Sequence, residues 1–180
     1  MLRNIVIACV LFTLSSVIYA ESPTTAPSDG VIRMKAGQDT PFKDPQGRVW
    51  AAQKGFADGD DVERDAELKI EKTDMPAIYR TEHYDMSAWN VPAPNGTYTV
   101  KLYFCETFEG ISAAGERVFD VKVGTQQLKN FDIYKEAGGA QKPVIKTFED
   151  VKASDGTLKV EFVAKVQSPC INAIELTPKK

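Results

Sequence analysis

The sequence contains few of the residues that most often build metal or nucleophile sites. It has one histidine, His83, and three cysteines among 180 residues. A structural zinc site needs three or four Cys or His ligands. A serine nucleophile needs a histidine base in a setting such as G-x-S-x-G, which does not occur here. We therefore predict no metal site and no cofactor, and we interpret His83 as a partly exposed strand residue.

An excess of positive charge is also missing. Lys and Arg number 22 against 25 Asp and Glu, which gives a net charge of −3, and the two signs are interspersed along the chain. A protein that binds the phosphate backbone of a nucleic acid needs a basic face. We therefore predict no nucleic-acid partner.

The first twenty residues, MLRNIVIACVLFTLSSVIYA, have the layout of a secretory signal. Arg3 precedes an apolar run, and the small residue Ala20 precedes the polar sequence ESPTTAPSDG. The apolar run is only slightly short of the roughly 20 residues that span a bilayer, so a retained anchor helix is the alternative. We predict a signal peptide over residues 1–20, a flexible leader over 21–30, and a secreted or periplasmic domain that has no membrane association after cleavage.

From Val31 onward, apolar residues alternate with polar ones more often than they recur at helical spacing. The alternating segments are TYTVKLYFCE, RVFDVKVG, TLKVEFVAKV and CINAIEL. Alternation with period two is typical of half-buried β-strands. The predicted inward residues are Tyr98, Val100, Leu102 and Phe104 in the first segment, Phe119, Val121 and Val123 in the second, Leu158, Val160, Phe162 and Ala164 in the third, and Ile174 and Leu176 in the last.

Turn-forming residues separate these strands, at PNG 94–96, Gly124, Gly138–Gly139 and SDG 154–156. Strands at this spacing, without long amphipathic helices between them, indicate an antiparallel sandwich or barrel. About 150 residues are enough for one domain with its own core. We predict a single all-β domain, an antiparallel β-sandwich with at most short helical segments.

One acidic stretch departs from the strand pattern. Residues 58–72, DGDDVERDAELKIEK, fit either a short surface helix with an acidic N-terminus or a solvated loop. Asp58, Asp60 and Asp61 supply oxygen ligands of the kind that calcium prefers, but their spacing does not match an EF-hand. We interpret them as solvated acids, with a structural calcium ion as the alternative.

Aromatic residues with polar neighbours are the most informative feature for function. Tyr79, Tyr84 and Trp89 are interleaved with charged residues, and Phe108 follows a strand end in CETFEGIS. A sugar ring has apolar C–H faces and a polar rim, so its binding site needs flat aromatic surfaces and hydrogen-bonding side chains. Tyr79 and Trp89 also fit the core of a strand pair, and we favour that interpretation for Trp89.

Several motifs in a fixed order resemble the malectin-type domain. They are IRMKAG, GTYTVKLYF, RVFDV, FDI and INAIEL, and the resemblance covers residues 31–177. It implies a jelly-roll-like β-sandwich that binds carbohydrate without catalysis. It also implies that RVFDVKVG is an inner strand, that FDIY begins the return strand, and that Asp120 and Asp132 hold loops by hydrogen bonds.

The resemblance further implies the positions of a sugar site. In the animal members, sugar is held by aromatics in a Tyr-x-Thr-Glu segment, by an aromatic pair after a strand end, and by an acid before the last strand. Here Thr107 replaces one member of the aromatic pair, and Gln167 or Ser168 stands in place of the acid. The site residues predicted in this way are Tyr79, Tyr84, Glu106, Thr107, Phe108, Gln167 and Ser168.

The two cysteines outside the predicted signal peptide are Cys105 and Cys170. A lone pair of cysteines in an exported protein is often a disulfide. In the malectin-type domain the loops next to these positions lie at the binding end, so a Cys105–Cys170 bridge would join two binding loops. Its formation requires a Cα separation within about 7 Å.

The predicted function is therefore non-catalytic binding of an oligo- or polysaccharide. A glycosidase needs two carboxyl groups across a deep cleft, which a small sandwich seldom offers, so we predict that the domain is not an enzyme. Loss of half of the aromatic pair supports an alternative, in which the sandwich is a protein-interaction or scaffolding domain of the cell envelope and the sugar site is vestigial.

Overall fold

Strands dominate residues 30–180, the part of the chain that the structure, a computed structural model, describes. The strands are β1 (Ile32–Lys35), β2 (Phe42–Lys43), β3 (Val49–Ala52), β4 (Asp60–Glu63), β5 (Thr81–Tyr84), β6 (Ala88–Pro92), β7 (Gly96–Cys105), β8 (Val118–Val123), β9 (Gln126–Phe131), β10 (Pro143–Ala153), β11 (Thr157–Val166), β12 (Cys170–Ile171) and β13 (Ala173–Pro178). A 3-10 helix covers Pro76–Tyr79, and one short α-helix, α1, covers Ile133–Ala137. The predicted signal peptide and most of the predicted leader lie outside the described residues.

The strands form three sheets. A six-stranded sheet has the order β10-β7-β13-β1-β3-β2, and a four-stranded sheet has the order β6-β11-β8-β9. A smaller sheet, β12-β5-β4, lies at one end. Neighbouring strands are antiparallel except for β1 and β3, which are parallel. The prediction of an all-β antiparallel sandwich is confirmed.

One hydrophobic core lies between the two larger sheets, because their strands turn alternate apolar residues inward. Phe104 of β7, Phe119 of β8 and Phe131 of β9 form a ring cluster in this core, with centroids 4.9–6.2 Å apart. All of the predicted inward residues are buried except Ala164. Ala164 lies next to a register shift near the exposed end of β11, where the alternation is broken.

A second hydrophobic cluster lies on the other face of the six-stranded sheet. On β7, Phe104 faces the main core, whereas Tyr103 and Cys105 face this second cluster together with Trp50. The segment that precedes β5 covers it with Ile78 and neighbouring apolar residues. The six-stranded sheet therefore buries apolar side chains on both faces over part of its length.

Two local predictions are wrong. Residues 60–63 form strand β4 instead of a helix or a loop, because pairing with β5 supplies a partner for their backbone groups. The FDIY segment ends a strand instead of starting one: Phe131 closes β9, and Asp132 accepts a hydrogen bond from the Lys135 amide at 2.9 Å to cap α1. The anchoring roles of Asp132 and Asp120 are confirmed, since Asp120 accepts from the Asn130 amide at 2.7 Å.

The two cysteines are free thiols in this structure, which does not contain the possible Cys105–Cys170 bridge. Both are fully buried, but Cys105 packs in the second hydrophobic cluster and Cys170 packs in the main core. Strand β7 separates these two clusters, which explains why residues from two adjacent loop ends do not join. Burial raises the pKa of the Cys105 thiol to about 12 and that of Cys170 well above its usual value.

The two ends of strand β7 lie at opposite ends of the sandwich. Its first residues pair with the last residues of β13, Tyr98 opposite Pro178, while its last residues lead to the smaller sheet. Within residues 30–180, the structure has no helix that is both long and apolar enough to cross a membrane.

Candidate functional site

A cleft of about 380 Å³ opens where β7 ends, β8 begins and the smaller sheet closes the sandwich. Its walls are formed by Asp61, Val62, Arg64, Glu82, Tyr84, Phe108, Arg117, Gln167 and Ser168. Strands β4 and β5 position one wall, since side chains two residues apart on a strand face the same way. Glu82 and Tyr84 thus line the cleft while His83, between them, points behind it.

Arg64 is held by two hydrogen bonds at the edge of the cleft. Its Nη2 donates to Glu82 Oε1 at 2.7 Å, and its Nε donates to Thr107 Oγ1 at 3.1 Å. The Thr107 hydroxyl in turn donates to Glu82 Oε2 at 3.1 Å. Because Glu82 and Thr107 are buried, this network fixes the guanidinium while part of it stays exposed to the cleft.

A second arginine, Arg117, is held more deeply. Its Nε donates to Glu106 Oε2 at 2.7 Å, and its Nη1 donates to the carbonyl oxygen of Ser168. The other carboxylate oxygen of Glu106 accepts from the Phe108 amide at 3.1 Å. Burial raises the pKa of Glu106 above its usual value, although Arg117 and these hydrogen bonds act in the opposite direction. The pair joins the end of β7, the start of β8 and the loop before β12.

Phe108 is the most exposed aromatic ring that lines the cleft. It is 40% exposed, and the Arg64 guanidinium carbon lies 5.9 Å from its ring centroid. Gly110 allows the ring to lie where it does, since a Cβ at this position would stand 2.5 Å from Phe108 Cε1. Tyr84 supplies a second, half-buried ring from β5, where it pairs with Cys170 of β12 and Asp60 of β4.

Two residues with left-handed backbones shape the remaining wall. Gln167 has φ 59° and Asp85 has φ 60°, a region that residues other than glycine seldom adopt. The Ser168 hydroxyl donates to Asp85 Oδ1 at 2.7 Å, and the Asp85 amide donates to the Pro169 carbonyl at 3.0 Å. These bonds hold the β11–β12 loop against the turn after β5 and leave the Gln167 side chain exposed.

The structure brings six of the seven predicted site residues together. Tyr84, Phe108, Gln167 and Ser168 line the cleft, and Glu106 and Thr107 lie buried as supports for its walls. Tyr79 does not belong to this group. It is 1% exposed, ends the 3-10 helix, and packs in the second hydrophobic cluster with its ring centroid 6.5 Å from that of Tyr103. Its ring face is therefore closed to a ligand.

The residues missed by sequence analysis are mainly the two arginines. Arg64 lies in the acidic stretch that we interpreted as solvated, and Arg117 opens the strand motif RVFDV. Each pairs with an acid from a different strand or strand end, Glu82 and Glu106 respectively. An arginine followed by a buried-strand pattern is the one local signal that pointed to Arg117.

Behind the cleft wall, His83 is buried and not partly exposed as predicted. Its Nδ1 lies 2.5 Å from Asp61 Oδ1, its Nε2 lies 2.8 Å from the Asp58 carbonyl, and its ring stacks on Phe56 at 3.7 Å. Trp89 is a core residue, as expected, and stacks on the other side of Phe56 at 4.3 Å. This stack supports strand β5 from behind.

Two of the three aspartates considered as calcium ligands are engaged with different partners. Asp61 contacts His83 and Gln53, whereas Asp58 accepts hydrogen bonds from Ser87. Among residues 30–180, no group of three or more His, Cys, Asp or Glu side chains is arranged to hold a metal ion.

Comparison with known sequences identifies relatives among plant receptors. A probable LRR receptor-like serine/threonine-protein kinase of Arabidopsis thaliana is 30% identical over 157 residues, which cover 72% of this chain and 15% of the kinase. Receptor-like protein 4 of the same plant is 32% identical over 143 residues, covering 72% of this chain and 23% of that protein. The chain thus spans less than a quarter of the length of these relatives.

Solved structures share the fold at low sequence identity. A β-glucuronidase of Bacteroides uniformis matches with a TM-score of 0.71 at 16% identity, covering 83% of this chain and 18% of the enzyme. The ANXUR2 extracellular domain of Arabidopsis thaliana matches with a TM-score of 0.69 at 16% identity. The match covers 83% of this chain and 49% of that domain. A complex of the plant peptide RALF23 with FER and LLG2 contains a chain that matches with a TM-score of 0.68 at 17% identity. The match covers 81% of this chain and 47% of the chain in the complex.

The family model described as the malectin domain matches residues 31–176, almost the whole of the described sandwich. This match covers both large sheets and every strand that lines the cleft. The chain therefore belongs to the malectin domain family.

Proposed function

We propose that the chain binds a saccharide in the cleft without catalysing its hydrolysis. The observation that carries the proposal is the convergence of two aromatic rings, Phe108 and Tyr84, with fixed polar groups on one open surface. The rings offer apolar faces to the C–H faces of a sugar, and Arg64, Gln167 and Asp61 offer hydrogen-bonding groups to its hydroxyls.

The held side chains favour binding because they are already in place before a ligand arrives. Arg64 is fixed by Glu82 and Thr107, and the loop that carries Gln167 is held by Arg117 and Asp85. A ligand therefore loses little free energy to the ordering of these groups.

A non-catalytic role fits the state of the carboxylates near the cleft. Glu82 pairs with Arg64, Glu106 pairs with Arg117, and Asp61 contacts His83 and Gln53. A glycosidase needs one carboxyl group free to protonate the leaving oxygen and a second across the sugar from it. The likeness to a β-glucuronidase covers 18% of that enzyme and carries no inference of activity here.

We further propose that the domain acts outside the cytoplasm, secreted or in the periplasm. The signal-like residues 1–20 support this proposal, and so does the similarity in fold to the ANXUR2 extracellular domain.

The test of saccharide binding is a glycan array, followed by titration calorimetry on the glycans that bind. Phe108→Ala and Tyr84→Ala are each expected to weaken binding by about tenfold or more, since each removes an aromatic contact surface. Val163→Ala is the matched control, because Val163 is similarly exposed but does not line the cleft. Binding that survives both aromatic substitutions would refute the assignment.

A protein partner is the second candidate. Thr107 stands where the malectin-type domain has a second aromatic, and its hydroxyl is buried between Arg64 and Glu82, so half of the expected aromatic surface is absent. A neighbour of the same fold, FER, is described in complex with the peptide RALF23 and LLG2. A chain that binds no array glycan but binds a purified protein through Phe108 would favour this candidate over the first.

A further inference from the structure

The two ion pairs at the cleft are accessible mainly through their arginines. Arg64 pairs with Glu82, and Arg117 pairs with Glu106. The Arg64 side chain is 22% exposed against 3% for Glu82, and the Arg117 side chain is 5% exposed against 0% for Glu106. Both arginines line the cleft. A ligand in the cleft therefore meets the positive end of each pair.

The hydrogen bonds that fix the arginines leave part of each guanidinium free. A guanidinium has five N–H donors. Arg64 donates through Nε and Nη2, and Arg117 donates through Nε and Nη1. No hydrogen bond in the described part of the chain involves Arg64 Nη1 or Arg117 Nη2. Neither nitrogen is sealed off from solvent, since Asn172 Oδ1 is the one buried side-chain atom of residues 30–180 without a partner.

The carboxylate and amide oxygens of the cleft already have partners. Both carboxylate oxygens of Glu82 accept hydrogen bonds from neighbouring side chains. Asp61 Oδ1 lies 2.5 Å from His83 Nδ1, and Asp61 Oδ2 accepts from Gln53 Nε2 at 2.5 Å. The side-chain oxygen of Gln167 accepts from the next amide in the chain at 3.2 Å. A ligand group that only accepts hydrogen bonds fits this wall better than a hydroxyl, whose proton also needs an acceptor.

A carboxylate is a group of this kind. Its two oxygens match the planar fork of a guanidinium, and hydrogen bonds between charged partners are stronger than neutral ones. A uronic acid carries a carboxylate at the edge of a sugar ring that keeps its apolar C–H faces. The Arg64 guanidinium carbon lies 5.9 Å from the Phe108 ring centroid, so one sugar unit can contact both side chains.

We propose that the saccharide bound in the cleft contains a uronic acid. Its carboxylate accepts hydrogen bonds from Arg64 Nη1 and Arg117 Nη2, and its ring contacts Phe108. The Asp61 side chain also lines the cleft, is 40% exposed and disfavours a second negative charge nearby. The ligand is therefore an oligosaccharide in which a uronic acid stands among neutral sugars. This inference rests on the proposed saccharide binding and specifies its ligand class.

The test compares matched pairs of oligosaccharides by titration calorimetry on the purified chain. Each acidic probe is a xylose or glucose oligosaccharide with one glucuronic or galacturonic acid. Its neutral partner is the same molecule after reduction of the carboxyl group to a primary alcohol. At least one acidic probe is expected to bind about tenfold or more tightly than its reduced partner, the value of hydrogen bonds to a charged group.

Two variants test the role of Arg64. Arg64→Lys keeps the positive charge beside Glu82 but loses the fork, and it is expected to weaken binding of the acidic probe by about fivefold or more. Binding of the reduced probe should change by less than about twofold, because it has no carboxylate to lose. The double variant Arg64→Gln with Glu82→Gln leaves no unpaired buried charge, so it should fold, and it should no longer distinguish the two probes.

Lys152→Gln is the control for a general effect of charge. Lys152 is exposed and pairs with Thr97, at the other end of β7 from the cleft. This variant is expected to keep the preference for the acidic probe.

The outcomes distinguish this inference from saccharide binding itself. Equal affinity for acidic and reduced probes would overturn the uronic acid and leave saccharide binding intact. An equal loss for both probes in Arg64→Lys, or a preference lost in Lys152→Gln, would overturn it in the same way. Binding of no oligosaccharide, acidic or neutral, would overturn both proposals.

Discussion

The Arg64 guanidinium lies over the ring of Phe108, with its central carbon 5.9 Å from the ring centroid. This contact connects the two parts of the cleft, the strand-borne charges and the loop-borne aromatic. Arg64 is itself fixed by Glu82 and Thr107. The ring of a loop residue is thus positioned through side chains that belong to the buried frame.

Gly110→Ala is expected to weaken ligand binding at the cleft without unfolding the domain. The new methyl group would stand 2.5 Å from Phe108 Cε1, so the ring must move from its place beside Arg64. The backbone at Gly110 is not left-handed, so alanine is tolerated there. Calorimetric binding to an array-selected glycan, together with thermal unfolding, tests this.

The control is Ser112→Ala, because Ser112 lies in the same loop and does not line the cleft. Gly115→Ala is unsuitable as a control because the φ angle of Gly115 is 92°. Unchanged affinity in Gly110→Ala would show that the ring position is irrelevant.

Asp44→Asn is expected to lower the free energy of unfolding at neutral pH by about 1.5–3 kcal/mol, the range for hydrogen bonds to charged groups. Asp44 is buried, which opposes its ionisation, but Trp50 Nε1 at 3.0 Å and Arg48 Nε at 2.7 Å donate to its carboxylate. The balance lowers its pKa below the usual 3.8.

The pH dependence of that loss has a definite sign. A carboxyl group with a lowered folded-state pKa contributes stability above its unfolded pKa and loses it as pH falls through the folded value. The difference between the wild-type chain and Asp44→Asn should therefore shrink below about pH 4. Urea unfolding from neutral to acid pH measures it, with Asp39→Asn, at an exposed position, as the control. A difference that is constant across this range would contradict the prediction.

The main sandwich follows from short-range pattern, because period-two alternation decides which face of a strand is buried. Phe104 and Phe119 illustrate this, since each occupies an inward position of an alternating segment and lies in the core. The loop position of Phe108 can also be predicted from the sequence, because this aromatic residue follows the end of β7 and has no strand periodicity. These features depend on neighbours within a few residues.

The polar frame of the cleft does not follow from such patterns. Arg64 is 18 residues from Glu82 and 43 from Thr107, and the network exists only because β4, β5 and the end of β7 meet. Tyr79, which we predicted to be a site residue, lies outside the cleft for a related reason. It precedes a strand in a motif rich in polar residues, but its 3-10 helix turns the ring toward Tyr103 and the outer face of the sheet. Pairings between distant segments depend on topology, which a local pattern does not contain.

Lys35→Met is expected to raise the stability of the domain at neutral pH. Burial lowers the pKa of Lys35 to about 8, an effect that the charge of Glu63 only partly offsets. The ammonium donates to Gln38 at 2.6 Å and lies 4.9 Å from the Phe42 ring centroid. Because the charged form is disfavoured in the folded state, a methionine of similar length removes a cost on the order of 2 kcal/mol.

The pH dependence of this stability difference distinguishes an effect of charge from an effect of packing. Between about pH 8 and 10.5 the unfolded chain binds more protons at Lys35 than the folded chain, so wild-type stability rises with pH in this window relative to Lys35→Met. The advantage of the methionine variant should therefore decrease as pH rises. Chemical denaturation at neutral and alkaline pH tests this, and Lys43→Met at an exposed strand position is the control. A constant advantage would show that packing, and not charge, is responsible.

Arg117→Met is expected to destabilise the domain strongly, by about 3–5 kcal/mol at neutral pH, because it leaves the Glu106 carboxylate buried without its partner. The double variant Arg117→Met with Glu106→Leu should recover much of this loss, since no unpaired charge then remains.

The single variant should also be less destabilised in acid. Glu106 already has a raised pKa through burial, and a group whose folded-state pKa is raised contributes stability at low pH that is lost as pH rises. Urea unfolding of the single and double variants at about pH 5 and about pH 8 measures the coupling. Additive losses with no pH dependence would mean that Arg117 acts through packing and through Ser168 instead of through the charge of Glu106.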